Sequence, residues 1–185
     1  DPVLGVEMAS TGEVACFGDD KYEAFLKAMI SVGLRLPGDS PSRKKSGLLS
    51  IGRIEDKASF LDYAKKLIDL NYHIYATEGT TEFLLENDVE AKKVYKISNS
   101  EKAQYRGENL SPTMLDVLQS KQVDLVINIP KNYSKEEITD GYKIRRTAID
   151  LNIPLITNLQ VAELLIESIE KYSLTDLKIK SWSEY

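Results

Sequence analysis

The chain has 185 residues, with 24 Lys and Arg against 29 Asp and Glu and a net charge of −5. That length suits one domain with a small appendage, and the mixed charges leave no basic face broad enough for nucleic acid as the main partner. A single cysteine, Cys16, excludes an intrachain disulfide framework and a Cys-rich metal site. There is neither a signal-peptide pattern nor an apolar run of membrane length, so the expected setting is cytoplasmic, with no membrane partner. The densest basic run, Arg43-Lys44-Lys45, follows Pro41 and reads as a solvated loop. Because Asp1-Pro2 opens without Met in sequence that reads as structured, the chain is expected to be a piece of a longer protein.

Residues 1–18 are short apolar pieces broken by Gly5, Gly12 and Gly18. Asp20 stands three before Glu23, a capping spacing, and Phe25, Ala28, Met29 and Val32 share one helical face, so a helix is expected from about 20 to 33. Gly33 and Pro37 end it, and the Pro/Ser/Gly-rich stretch to Ser46 reads as a linker. From Gly47 onward, strand-length apolar runs alternate with helical patterns. The expected strands are Leu48–Ile51, Tyr72–Ala76, Ala91–Tyr95, Val123–Asn128 and Ile153–Ile156. Between them, Asp56 is placed to cap a helix with Phe60, Leu61, Ala64, Leu67 and Ile68 inward. Phe83 and Leu84 mark a short helix after the Thr-rich turn. Ser111-Pro112 is a helix start for Met114, Leu115 and Leu118. A further helix buries Ile144, Ala148 and Leu151, and Thr157-Asn158 caps a last one showing Val161, Leu164, Leu165 and Ile169. Residues from Tyr172 to Tyr185 show no period and read as a tail.

This alternation predicts an α/β fold: a doubly wound, open five-stranded parallel sheet with helices on both faces. Ligands of such sheets bind beyond the carboxyl ends of the strands. The candidates there are Ser50, Thr77 and Thr80, Lys96, Asn128, and Thr157 with Asn158, with Lys57 reaching over the same rim from its helix. The stretch Tyr75-Ala76-Thr77-Glu78-Gly79-Thr80-Thr81 ends a strand and begins a helix, where unpaired N–H groups and the helix dipole favour an anion. Thr and Gly also make ordinary strand-to-helix turns without any ligand. Two lysines, several hydroxyls and an amide on one rim together describe a phosphate-sized pocket. Arg145 and Arg146 have two readings: contacts to a phosphate or to a neighbouring domain, or one arginine snorkelling over the sheet and one solvated. Asp124, at the start of a central strand, reads as structural, and His73 lies within a strand.

Leu48-Leu49-Ser50-Ile51, Tyr75 to Thr80, Asp124 to Asn128, Ile144 to Ala148 and Ile153 to Asn158 together resemble the methylglyoxal-synthase-like domain, in order and spacing, over about residues 47–170. Asp1 to Val14 resembles the end of the second ATP-grasp half in the carbamoyl phosphate synthetase large-subunit family, which directly precedes such a domain. The resemblance divides the chain into 1–36 (end of the synthetase half and a connecting helix), 37–46 (linker), 47–171 (allosteric domain) and 172–185 (tail). It implies a non-catalytic regulatory domain without a cofactor or metal of its own, attached to an enzyme that uses ATP with Mg or Mn. The implied partners are synthetase domains of the same chain, a glutaminase small subunit and a nucleotide effector such as UMP or IMP. The pathways implied are pyrimidine and arginine synthesis.

The resemblance further implies that Ser50, Lys57, Thr77, Thr80, Lys96 and Asn128 form the effector pocket, with Lys57 and the two threonines on the phosphate. Where the N-acetylglutamate-dependent form carries tryptophan, this chain has Lys96, and a lysine in place of a flat aromatic favours a phosphorylated ligand; that form's later asparagine positions read Lys131 and Gly141 here. Two alternatives are an N-acetylglutamate sensor and a methylglyoxal-synthase-type lyase. The lyase needs a carboxylate base and histidines, whereas Arg106-Gly107-Glu108-Asn109 and the lone His73 stand here instead. A third alternative is an interaction domain whose pocket takes no ligand.

Overall fold

The computed structural model describes residues 14–35, 44–96, 112–131 and 135–184, apart from the side chains of 135–139 and 182. Among these residues the strands are β1 (Lys45–Ile51), β2 (Tyr72–Thr77), β3 (Lys92–Val94), β4 (Leu125–Ile129) and β5 (Leu155–Ile156). The α-helices are α1 (Lys21–Ser31), α2 (Ile54–Asp69), α3 (Glu78–Glu86), α4 (Met114–Gln119), α5 (Lys135–Asp150) and α6 (Leu159–Lys171). The five strands form one all-parallel sheet in the order β3-β2-β1-β4-β5. β1 is therefore central and β4 pairs along its other side, so the direction of winding reverses between β1 and β4. This is the doubly wound α/β fold expected from the alternating pattern.

Side chains of β1 and β4 alternate between two cores, as the pleat requires. Leu49, Ile51, Leu125, Ile127 and Ile129 face Phe60, Ala64 and Leu67 of α2 and Ala162, Leu165 and Ile166 of α6. Leu48 and Val126 face Met114, Val117 and Leu118 of α4 and Ile144 and Ala148 of α5. Burial on both faces explains why these strands read as unbroken aliphatic runs. Asp124 closes the base of the sheet: its carboxylate accepts the Ser46 N–H at 2.7 Å, and its own N–H donates to Ser46 O at 2.8 Å.

Four helices return to the sheet through a residue in the left-handed region: Asn71, Asp88, Lys121 and Asn152, with φ between 53° and 64°. After α3 and α5 the next amide closes the turn, Val89 N–H to Leu84 O and Ile153 N–H to Ala148 O. This is the Schellman arrangement, built here without glycine.

Several boundaries differ from the sequence reading. β1 starts at Lys45, inside the stretch read as linker, because Asp124 and β2 pair with its first residues. Asp56 does not cap α2. Arg53 is the N-cap residue, and the buried Asp56 carboxylate instead takes both nitrogens of the Arg53 fork at 2.7 and 2.8 Å. α4 is capped by Thr113 through a reciprocal box with Asp116, so Pro112 precedes the helix rather than opening it. The residues after Tyr172 are not formless: they make two 3₁₀ turns, Leu174–Asp176 and Trp182–Glu184, and Leu177 packs on the main core.

Helix α1, grouped by sequence with the preceding segment, packs against α6 and places Leu26 fully buried in the main core. Its cap Asp20 accepts N–H bonds from Tyr22 and Glu23, each at 2.9 Å. Leu26→Ala is therefore expected to lower the unfolding free energy by about 2–5 kcal/mol in urea titration. A loss well under 1 kcal/mol would show α1 to be a detachable appendage.

Candidate functional site

Because all five strands run the same way, their carboxyl ends and the helix starts that follow share one rim of the sheet. At that rim lies a cavity of about 210 Å³, lined by Ser50, Ile51, Gly52, Lys57, Thr77, Glu78, Gly79, Thr80, Lys96 and Lys131. It sits beside the winding reversal, between the ends of β1 and β2 and under the chain that leaves β4. A second cavity of about 490 Å³ lies at the amino ends of β2 and β3, lined among others by Lys44, Tyr72, His73, Glu90 and Lys92. It is larger, but among the described residues no helix begins there.

Of the residues expected at the site, Ser50, Lys57, Thr77, Thr80 and Lys96 line the rim cavity. Asn128 does not. It pairs with Ser50 across the β1–β4 ladder, but its buried side chain turns toward α5, where its oxygen accepts from Arg145 Nη1 at 3.2 Å. Arg146 points outward and pairs with Asp150 at 2.9 Å on the same helix. Arg145 is thus half-buried against β4, and Arg146 is exposed. Asn158 caps α6, accepting the Val161 N–H at 3.0 Å, and is absent from the cavity lining, as is Thr157. Glu108 and its neighbours lie outside the described residues.

The threonines are arranged differently from the expected anion-facing hydroxyls. Thr80 Oγ1 donates to Ile51 O at 3.1 Å and receives the Ile51 N–H at 3.2 Å, bolting the first turn of α3 to the last residue of β1. With the Thr80 proton so used, the Thr77 proton fills the 3.2 Å contact between the two hydroxyls. Thr77 is the N-cap residue of α3, yet its side chain makes no capping hydrogen bond. Next to the cavity, the first-turn amides of α3 therefore receive no cap from Thr77.

Three lysines come from three separate segments. Lys57, in the first turn of α2, donates to Gly79 O at 2.6 Å. Lys96 follows β3, and Lys131 follows β4. The Lys57 ammonium is held below its ordinary value, chiefly by burial; Glu82 opposes this, and the charges of Lys131 and Lys96 reinforce it. Glu78 at the rim is bonded to Lys93 at 3.1 Å. Lys131, which the resemblance places at a position occupied by asparagine in the N-acetylglutamate-dependent form, also lines the cavity; Gly52 was not anticipated, since its approach to the loop after β4 depends on the β1–β4 pairing. Among the described residues no group of three or more His, Cys, Asp or Glu stands close enough to hold a metal, and no helix is long and apolar enough to cross a membrane.

The chain is an all-parallel doubly wound α/β domain with a lysine-lined cavity at the carboxyl rim of its sheet. A family model described as the MGS-like domain matches residues 59–157, and the chain belongs to that family. It is 47% identical over 173 residues to the "Multifunctional protein ura1" of Schizosaccharomyces pombe, covering 91% of this chain and 7% of that protein. It is 40% identical over 181 residues to the "Multifunctional protein URA2" of Saccharomyces cerevisiae, covering 96% and 8%. With the mitochondrial "Carbamoyl-phosphate synthase [ammonia]" of Homo sapiens it shares 40% identity over 179 residues, covering 96% and 11%. The chain thus corresponds to a small part of each of these proteins. A solved methylglyoxal synthase from Elizabethkingia anophelis has a TM-score of 0.46 and 17% identity over 78% of this chain and 91% of that one. The assignment rests on the family model, not on that likeness.

Thr80→Val is expected to cost about 1–3 kcal/mol in chemical denaturation, because the buried Ile51 N–H and carbonyl both lose their partner. The pH dependence follows from Lys57. Its folded-state value lies below its unfolded one, so between those values the unfolded chain binds more protons and stability rises with pH. Denaturation at stepped pH should show this rise just below the ordinary lysine range in the wild type, and its loss in Lys57→Gln.

Proposed function

We propose that this domain is the regulatory, effector-binding part of a carbamoyl phosphate synthetase, and that the rim cavity takes the phosphate of a nucleotide of the UMP or IMP type. The observation that carries the reading is the convergence of Lys57, Lys96 and Lys131 on the start of α3, where Thr77 makes no capping hydrogen bond. Burial and mutual repulsion keep the Lys57 charge under strain, and a phosphate in the cavity relieves it. At about 210 Å³ the enclosed space is smaller than the roughly 300–1,000 Å³ of a typical small-molecule cleft. It therefore suits the phosphoryl end of a ligand, with sugar and base lying over the rim. Among the site residues, Thr77 and Thr80 shape the pocket and supply backbone N–H groups, while Asn128 acts through Ser50 and Arg145.

In this reading the parent enzyme carries the ATP and divalent-metal chemistry elsewhere in the same chain. A glutaminase subunit supplies ammonia, and the product serves pyrimidine and arginine synthesis in the cytoplasm. The sequence identity to a protein named carbamoyl-phosphate synthase supports the parent class. A lyase reading is less well supported. His73 pairs in register with Ser46 at the amino end of the sheet, opposite the rim cavity, and is exposed. An N-acetylglutamate reading fits poorly with a third lysine facing a ligand that lacks phosphate.

Calorimetric titration with UMP, IMP and N-acetylglutamate tests this reading. A nucleotide is expected to bind the wild type and to raise its melting temperature, by an amount equivalent to about 2.7 kcal/mol at a hundredfold excess over Kd. Thr77→Ala and Lys96→Glu should weaken that binding. Binding of N-acetylglutamate alone, or of none of the three, would overturn the proposal.

A further inference from the structure

We infer that Lys131 is the charge-selecting residue of the rim cavity, and that the bare backbone of Gly52 is what sets it in place. The inference deepens the reading of that cavity as an anion site and rests on it.

The geometry begins one residue past the end of β1. There the Gly52 N–H donates to Ile129 O at 2.9 Å, extending the β1–β4 ladder beyond the Ile51–Ile129 pair. The chain leaving β4 then passes through Pro130 directly over Gly52. A Cβ on Gly52 would lie 2.3 Å from the Lys131 nitrogen, 2.4 Å from its Cα and 2.5 Å from its Cβ. All three are closer than atoms can sit, and two belong to backbone, so a methyl group at Gly52 must displace Lys131. The φ of Gly52 lies outside the left-handed region, so glycine contributes space here, not an unusual backbone angle.

That close approach brings Lys131 to the same cavity as Lys57 and Lys96. Among the described residues, Glu78 at the cavity is bonded to Lys93, and Glu82 acts on Lys57. Three ammonium groups around one small cavity repel one another, and the sum falls most when the ligand carries two negative charges. A phosphate monoester carries roughly −1.5 to −2 at neutral pH and a carboxylate only −1. Lys131 therefore favours the phosphate dianion over a carboxylate of similar size, whereas the α3 amides and Lys57 attract either one.

The test titrates the chain at neutral pH with methyl phosphate and, separately, with acetate. It compares the wild type with Lys131→Ala, Lys131→Arg, Gly52→Ala and the double variant Gly52→Ala/Lys131→Ala. The Lys57 titration is followed by NMR of its ε-methylene. Lys131→Ala is expected to weaken methyl phosphate about tenfold, to leave acetate nearly unchanged and to raise the Lys57 midpoint; Lys131→Arg restores the phosphate affinity. Gly52→Ala should reproduce the Lys131→Ala loss, and the double variant should be no worse than either single one. If Gly52→Ala fails to fold, the inference stands or falls on the two Lys131 variants.

Wild-type phosphate binding with Lys131→Ala indistinguishable in affinity and in Lys57 titration would overturn this inference alone. Additive losses in the double variant would overturn the positioning role of Gly52. No phosphate binding by the wild type would overturn the anion-site reading together with this inference.

Discussion

The pairing of β1 on both sides is the constraint on which the rest of this structure depends. A central parallel strand has no free edge, so the chain leaves β1 toward one side of the sheet and is met from the other by β4. At its carboxyl end the helices diverge and a hollow opens that the sheet itself cannot fill. Thr80 braces one wall of that hollow through Ile51, and Gly52 braces the other through Ile129. Both braces attach to adjacent residues of the same strand end, so the shape of the cavity is tied to the register of the sheet.

The electrostatics of the rim run against the ordinary economy of a protein surface. Away from the rim, lysines find carboxylates: Lys66 with Glu170 and Lys171 with Asp20. Exposed pairs of this kind contribute little to stability. Around the cavity the arrangement differs, since Lys57 spends its bond on a backbone carbonyl and meets two further ammonium groups. Lining residues that raise the local electrostatic free energy of the protein alone are the usual mark of a place built for something else.

The two ends of the described chain are joined on the far side of α6. Glu23 is almost wholly buried, and its carboxylate accepts N–H bonds from Asp19 at 2.6 Å and from Lys178 at 3.2 Å while holding Lys27 at 2.9 Å. Asp20 takes Lys171 and Tyr172, and Asp19 takes Lys178 and Lys180. α6 is linked in turn to α2, the helix that carries Lys57, through Tyr63 with Glu167 and Lys66 with Glu170. Helix α1 and the C-terminal turns therefore belong to the packed body that holds the cavity. A buried carboxylate satisfied by two amides and an ammonium fixes that packing more by what its loss would cost than by its net contribution.

Local pattern alone determined a good deal here. Strand-length apolar runs between helical periods carried the five strands, most clearly β1 and β4, where burial on both faces writes itself into consecutive residues. The strand ends named Ser50, Thr77, Thr80 and Lys96, and the first turn of α2 named Lys57, all of which reach one cavity, whereas Thr157 and Asn158 do not line it. Tertiary structure decided what spacing cannot encode. Asn128 turned to Arg145 because alternation put it on the α5 face. Thr80 spent its hydroxyl on Ile51, 29 residues away in sequence. The backbone at Lys131 lies close over Gly52, and α1 joined the core because α6 offered it a partner. Side-chain period is a property of neighbours along the chain, whereas the choice of hydrogen-bond partner and the approach of two loops depend on strand register, which only the assembled sheet sets.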